Sequence, residues 1–178
     1  MCTVVTHAVV GLALARWFAP EDRRPSLLWC AALLPVVPDL DVVGFRLGVQ
    51  YGDPLGHRGA SHSILFAVAV GVAAGAWIGR GGADRVRIAL LLSLAVASHG
   101  LLDMLTDGGR GIALWWPFSN ERLFWPVRPL AVPPIGIGPM FSEQGFEVVA
   151  TEVLWIWLPL AALLAGRALL ARSRREAG

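Results

Sequence analysis

A chain of 178 residues fits one domain, but 56% hydrophobic and 16% charged residues with a mean hydropathy of +0.61 do not describe a soluble one. The net charge is only +2 and the arginines gather at the ends of apolar runs, so charge gives no argument for a nucleic-acid partner. All fifteen basic residues are arginine, which excludes any mechanism that needs a lysine, and two cysteines, Cys2 and Cys30, cannot build a disulfide framework.

In chain order, five apolar segments run approximately from Thr3 to Ala19, Ser26 to Gly44, His62 to Gly79, Val86 to Leu105 and Val148 to Ala171. A helix needs roughly 20 apolar residues to cross ~30 Å of hydrocarbon, so these are candidate spans. The first is short and is expected to tilt or to sit partly re-entrant. It lacks a basic stretch ahead of its apolar run, with Arg16 following instead, and therefore reads as a retained helix rather than a cleaved signal peptide. Cys30 lies inside the second segment and reads as a small apolar residue. A tight charged turn, Pro20 to Arg24, joins the first two segments, and an Arg-Gly-rich turn, Arg80 to Arg87, joins the third and fourth. The expected fold class is all-α: a polytopic integral membrane protein of about five transmembrane helices, forming one membrane-embedded domain over 1–178.

Five spans put ten arginines, from Arg16 to Arg175, on one side of the membrane and five (Arg46, Arg58, Arg110, Arg122 and Arg128) on the other. The positive-inside bias then predicts a cytoplasmic C-terminus and an outer N-terminus, and Trp17, Trp29 and Trp77 fall at the cytoplasmic span ends, where aromatic residues anchor. The outer side carries the two longer connections, 45–61 and 106–147. The second, between helices 4 and 5, is too long for a simple turn and reads as a lid or binding loop. Its Trp115, Trp116, Phe118, Phe124 and Trp125 favour packing at headgroup level over disorder.

This topology brings all four histidines and four of the seven aspartates to one depth, at the outer face. His7 lies near the outer end of helix 1. Asp39 and Asp41 follow Pro38, where helix 2 is expected to break. His57 and His62 lead into helix 3, and His99, Asp103 and Asp107 form a stripe on helix 4, the first two spaced i,i+4 on one face. Imidazole and carboxylate together suit zinc, manganese or iron, and ionisable groups buried near hydrocarbon point to function.

Each residue also has a plainer reading. His7 alone is an interfacial or hydrogen-bonding residue, Pro38-Asp-Leu-Asp41 alone is a turn or cap, and His57 and His62 with Arg58 make a solvated loop. Arg58 either holds an anionic group or pairs with Asp53. Glu152 is expected to partner a neighbouring arginine and Ser63 to cap a helix. His99 and Asp103 inside an apolar helix resist such readings, because a structural role would still need buried partners.

On Thr6-His7, Pro38-Asp-Leu-Asp41, His57-Arg-Gly-Ala-Ser-His62-Ser63, Ser98-His-Gly-Leu-Leu-Asp103, Thr106-Asp-Gly108 and Trp116-Pro-Phe118, the chain resembles the YdjM-like and YbcI-like family of bacterial inner-membrane proteins. The resemblance covers nearly the whole chain and implies a membrane-bound metal-dependent hydrolase. A more distant likeness to the all-helical zinc-dependent phospholipases C and nucleases implies a cluster of two or three zinc ions and phosphodiester cleavage. Together, the residues and the resemblance predict divalent metal, zinc above all and one to three ions, held by His7, Asp39, Asp41, His57, His62, His99 and Asp103. Such an ion would lower the pKa of a bound water and polarise the scissile bond. Asp107 or Asp41 would act as general base and Arg58 would hold the anion. The substrate expected at headgroup depth is a lipid or phosphoester, with membrane lipid as the surroundings. The same residues would also serve a divalent-metal transporter or a metal-sensing protein, or, without metal, a scaffold that locks the helices together. The inner halves of the spans are almost wholly apolar, which favours a one-sided pocket over a transport path.

Overall fold

The computed structural model describes residues 1–19, 22, 24–133 and 138–176. Pro20, Glu21 and Arg23 of the first charged turn, and 134–137 of the long connection, lie outside the described residues. Among the described residues the structure is helical with no strand; two isolated bridges, Thr106 with Leu130 and Ile112 with Leu123, are the extended pairings of the 106–133 stretch.

The principal helices are α1 (Val4–Phe18), α2 (Pro25–Leu33), α3 (Ile64–Ile78), α4 (Gly82–Asp103), α5 (Glu143–Glu152) and α6 (Leu158–Glu176). Two of the junctions do not interrupt the rod. A 3₁₀ stretch, Leu34–Leu47, continues α2, and one π turn, Val153–Trp157, joins α5 to α6. Three of the resulting rods are long and apolar enough to cross a membrane: Pro25–Leu47, Gly82–Asp103 and Glu143–Arg174. The helices α1 and α3 are shorter, 15 residues each, or about 22 Å at 1.5 Å per residue. The all-helical membrane architecture expected from the sequence is thus present, with two spans shorter than the apolar runs that encode them.

The expected break at Pro38 does not occur; the winding tightens at Leu34 instead and stays tight to Leu47. Pro35 and Pro38 explain the difference, because each removes a donor from the α-helical ladder and neither prevents helical φ angles. Helix α3 starts two residues later than the apolar pattern suggests. His62 is held in a short 3₁₀ turn (Ala60–His62), and Ser63 caps the helix by accepting from the Phe66 amide at 3.1 Å.

Small residues set the packing. Gly71 and Gly75 of α3 lie against Ser93 and Ala89 of α4, so that a Cβ at Gly75 would sit 2.7 Å from the Ala89 side chain. In lipid, where the hydrophobic effect does not press helices together, such close backbone approach supplies the attraction. Ala15, Leu27, Ala31, Ile88, Leu91 and Leu92 fill the half of the bundle farther from the polar residues. At that far end Arg24 bridges Asp22 (2.6 Å) and Asp84 (2.9 Å), and its hydrogen bonds draw the Asp22 carboxyl below its ordinary pKa.

The opposite end is capped by the long connection. Ile112 and Leu114 bury with Met104, the Ile64 amide donates to the Leu114 carbonyl, and the Trp125 indole donates to Leu101 O at 3.0 Å. Trp115, Phe118 and Trp125 nevertheless remain exposed, as a headgroup-level aromatic rim requires.

Candidate metal centre

Beneath that cap, four side chains from three elements turn their donor atoms to one point. His99 and Asp103 come from the last turns of α4, Asp39 from the 3₁₀ stretch and His62 from the turn before α3; all four are buried. The two Nε2 atoms of His62 and His99 are 3.0 Å apart. Asp39 Oδ1 lies 3.6 Å from His62 Nε2 and 3.4 Å from His99 Nε2, and Asp103 Oδ2 lies 3.8 and 3.7 Å from the same atoms. Donors about 2.0–2.1 Å from a tetrahedral zinc stand ~3.3 Å from one another, which is the spacing of this set.

The imidazoles are oriented from behind. In a 3₁₀ turn the carbonyl of residue 35 would pair with the N–H of residue 38. Pro38 has no N–H, and the Pro35 carbonyl accepts from His99 Nδ1 at 2.7 Å instead. The proton on Nδ1 leaves the Nε2 lone pair facing the cluster. For His62 the same service comes from Asp41, whose Oδ2 is 3.3 Å from Nδ1 and also accepts from Ser61 Oγ at 2.7 Å.

The donors lack the partners a purely structural cluster would have. Among the described residues, both oxygens of Asp39, Oδ2 of Asp103 and both ring nitrogens of His7 are buried without a hydrogen-bond partner. Burying bare carboxylate oxygens costs several kcal/mol unless a proton or cation compensates, and a His₂Asp₂ donor set fits a divalent ion of the zinc, manganese or iron class.

All seven residues expected to hold metal are brought to this end of the bundle, in three overlapping groups. Asp39, His62, His99 and Asp103 form the first. His7, stacked on His99 with ring centroids 3.8 Å apart, approaches Asp103 Oδ1 at 3.4 Å and groups with Cys2 and that carboxylate. His57 groups with Asp41 and His62; its Nδ1 is 2.6 Å from Asp41 Oδ1, and its Nε2 faces the Met1 sulfur at 3.1 Å.

Several expectations need correction. Asp107 does not extend the stripe of α4: the helix ends at Asp103, the Thr106 hydroxyl hydrogen-bonds Asp103 O at 2.7 Å, and the chain turns outward. Asp107 is exposed and accepts from the Val132 amide at 2.9 Å, which takes it out of the cluster. Arg58 pairs with neither Asp53 nor open solvent. It is 1% exposed and takes a left-handed backbone, φ 65°. Its terminal nitrogens donate to Gly108 O, Arg110 O and Thr106 Oγ1, and its Nε lies 3.9 Å from Asp103 Oδ2. The guanidinium therefore ties the long connection down over the site rather than presenting a free fork to an anion. Arg122 assists, donating to His57 O and Asp53 O at 3.0 Å each, and burial pulls its pKa down. Among the described residues Glu152 meets no arginine: it accepts from the Thr3 and Thr6 hydroxyls at 2.6 Å each, which anchors α1 to the end of α5.

The sequence reading missed Cys2 and Ser61. Cys2 is 1% exposed, and its amide donates to Asp103 Oδ1 at 2.7 Å. Its position five residues before His7 was the available signal, since both must lie at one end of α1. Ser61, beside His62, had no periodicity to mark it.

Comparison with known proteins matches nearly the whole chain. A family model described as YdjM inner membrane protein matches residues 1–173. The Inner membrane protein YbcI of Escherichia coli (strain K12) is 38% identical over 161 residues, covering 89% of this chain and 92% of that protein. No solved structure matches. With both the family model and this relative spanning the helices that build the cluster, the chain belongs to the YdjM family of inner membrane proteins.

Proposed function

We propose that the chain is a membrane-bound metal-dependent hydrolase that acts on a lipid or phosphoester substrate at the outer face of the inner membrane. The observation that carries this reading is the convergence of His62, His99, Asp39 and Asp103 on one point, with carboxylate oxygens left bare among the described residues. These four would hold the ion, zinc being the best fit to their spacing. Once bound, a divalent ion supplies Lewis-acid activation of water and of the scissile phosphoryl or carbonyl group.

The surrounding residues have definable tasks. Pro35 O and Asp41 keep His99 and His62 in the tautomer that faces the ion. With Asp107 turned away, the group best placed to accept a proton is His57, whose Nδ1 is held by Asp41 and whose Nε2 meets the weakly bonding Met1 sulfur at 3.1 Å. Arg58 and Arg122 hold the cap that shields the site from bulk water. The transporter reading is less well supported, because the apolar plug of Ala15, Leu27, Ile88 and Leu92 lies between the cluster and the far end. The arginine-rich far end supports a cytoplasmic C-terminus.

The test is metal analysis and hydrolysis on detergent-purified protein. Stoichiometric divalent metal, lost in His99→Ala and Asp103→Ala, and metal-dependent product release from phospholipid or lipid-phosphate substrates are expected. A metal-free wild-type protein that stays metal-free after zinc loading would refute the reading.

A further inference from the structure

Beside the cluster lies a cavity of about 550 Å³, walled by the first residues of the chain, by Val42 and Phe45 of the 3₁₀ stretch, and by Met140, Val149 and Trp157. Its size is that of a ligand pocket. Its walls are apolar apart from the side chains of Thr3, His57 and Glu152, and each of these is already bonded to a neighbour. The Thr3 and Thr6 hydroxyls donate to Glu152, and His57 is held through Nδ1 by Asp41 and through Nε2 against the Met1 sulfur.

The cavity also has a direction. At one end are His57 and Cys2, the residues that adjoin the metal-ligand cluster: His57 shares Asp41 with His62, and the Cys2 amide rests on Asp103. At the other side Val4, Val5, Val42 and Val149 are 49%, 52%, 41% and 44% exposed, although Val42 and Val149 belong to rods long and apolar enough to cross a membrane and Val4 and Val5 to the shorter apolar α1. An exposed valine on such a surface faces hydrocarbon, so the cavity opens sideways into the membrane rather than upward into water.

We infer that this cavity holds one hydrocarbon chain of a membrane lipid, entering between α1 and α5, and thereby places the lipid's headgroup at the His/Asp cluster. The inference rests on the hydrolase reading for what happens to the headgroup, and it narrows the substrate class from any phosphoester to a lipid. A water-soluble phosphoester would leave the cavity empty, whereas a lipid chain fills it by exchanging one apolar environment for another. Affinity then comes from packing and from delivery of the headgroup, and the lateral mouth lets the substrate enter without leaving the bilayer.

The experiment is photo-crosslinking of the full chain in detergent with phosphatidic acid that carries a diazirine near the end of one acyl chain. A second arm uses a polyprenyl phosphate labelled in the same way, which tells an acyl from an isoprenoid chain. Adducts are expected on peptides containing Val5, Met140 or Val149. Val149→Trp, which fills the cavity, should cut that labelling about tenfold, because the indole takes the space in which the chain packs and roughly ten carbon–carbon contacts are lost. Val5→Trp provides the same block from the opposite wall should Val149→Trp fail to fold. Val72→Trp, on the exposed face of α3, should leave labelling unchanged. Labelling spread evenly over exposed helix faces with both probes, or untouched by both cavity-filling variants, overturns the inference. Crosslinking needs no turnover, so cavity labelling without hydrolysis of any substrate would reject the hydrolase reading and leave the chain-binding site standing.

Discussion

Asp39 and Asp41 differ by two positions in sequence and by a whole layer in the structure, and that difference predicts two unequal phenotypes. Asp39 Oδ1 sits 3.4 Å from His99 Nε2 and 3.6 Å from His62 Nε2, among the converging donors. Asp41 stands behind, with one oxygen 2.6 Å from His57 Nδ1 and the other 3.3 Å from His62 Nδ1. Asp39→Asn removes an anionic donor, and the variant should retain less than stoichiometric metal after gel filtration. Asp41→Asn leaves all four donors and, among them, weakens only the orientation and basicity of His62, while loosening His57 outside the set. Loss of such an outer partner costs about 10–100-fold in metal affinity, or roughly 1.4–2.8 kcal/mol at 1.4 kcal/mol per decade. Zinc affinity of detergent-purified protein, measured by competition with a chromophoric chelator, separates the two. Equal losses in both variants would mean that Asp41 is itself a ligand, and an Asp39→Asn affinity equal to wild type would refute the four-donor centre.

Other consequences can be checked on the same preparations. Chelation should lower Tm and zinc readdition should restore it, with stabilisation of about 2.7 kcal/mol at one hundred times Kd; a Tm indifferent to chelator would count against metal as a structural partner. Arg58→Ala should release 106–114 from the bundle, read as faster hydrogen exchange confined to that stretch. Unchanged exchange there would show that the guanidinium does not hold the cap. Glu152→Gln weakens the link from α5 to Thr3 and Thr6 and should cost about 1.5–3 kcal/mol, as charge-assisted hydrogen bonds do, with metal content unchanged. At the far end, the Asp22 carboxyl titrates below the ordinary carboxylate value. The stability it contributes is therefore complete above that ordinary value and is lost as pH falls through its lowered pKa. Arg24→Ala should flatten this acid dependence in thermal melts.

Hydropathy was enough to identify the membrane class and the helical fold, because lipid forces every backbone group to be satisfied within its own segment. The i,i+4 spacing of His99 and Asp103 was equally legible, since it depends only on the pitch of one helix. The gathering of all four histidines at one end followed from counting spans. Division of labour among them did not, because it depends on distances between elements. Pro38 illustrates the limit: as a sequence signal it suggested a break, yet in the fold its missing N–H frees the Pro35 carbonyl to orient His99. Asp107 looked like the next member of a stripe until the end of α4 at Asp103 turned it outward. Arg58 and Glu152 read as charges in search of opposite charges nearby; Glu152 instead found neutral hydroxyls on α1, and Arg58 found the carbonyls of the long connection, with Asp103 rather than Asp53 as the carboxylate beside it. Periodicity reports the face a residue occupies on its own helix; which atom of a second element meets it is settled only when the bundle closes.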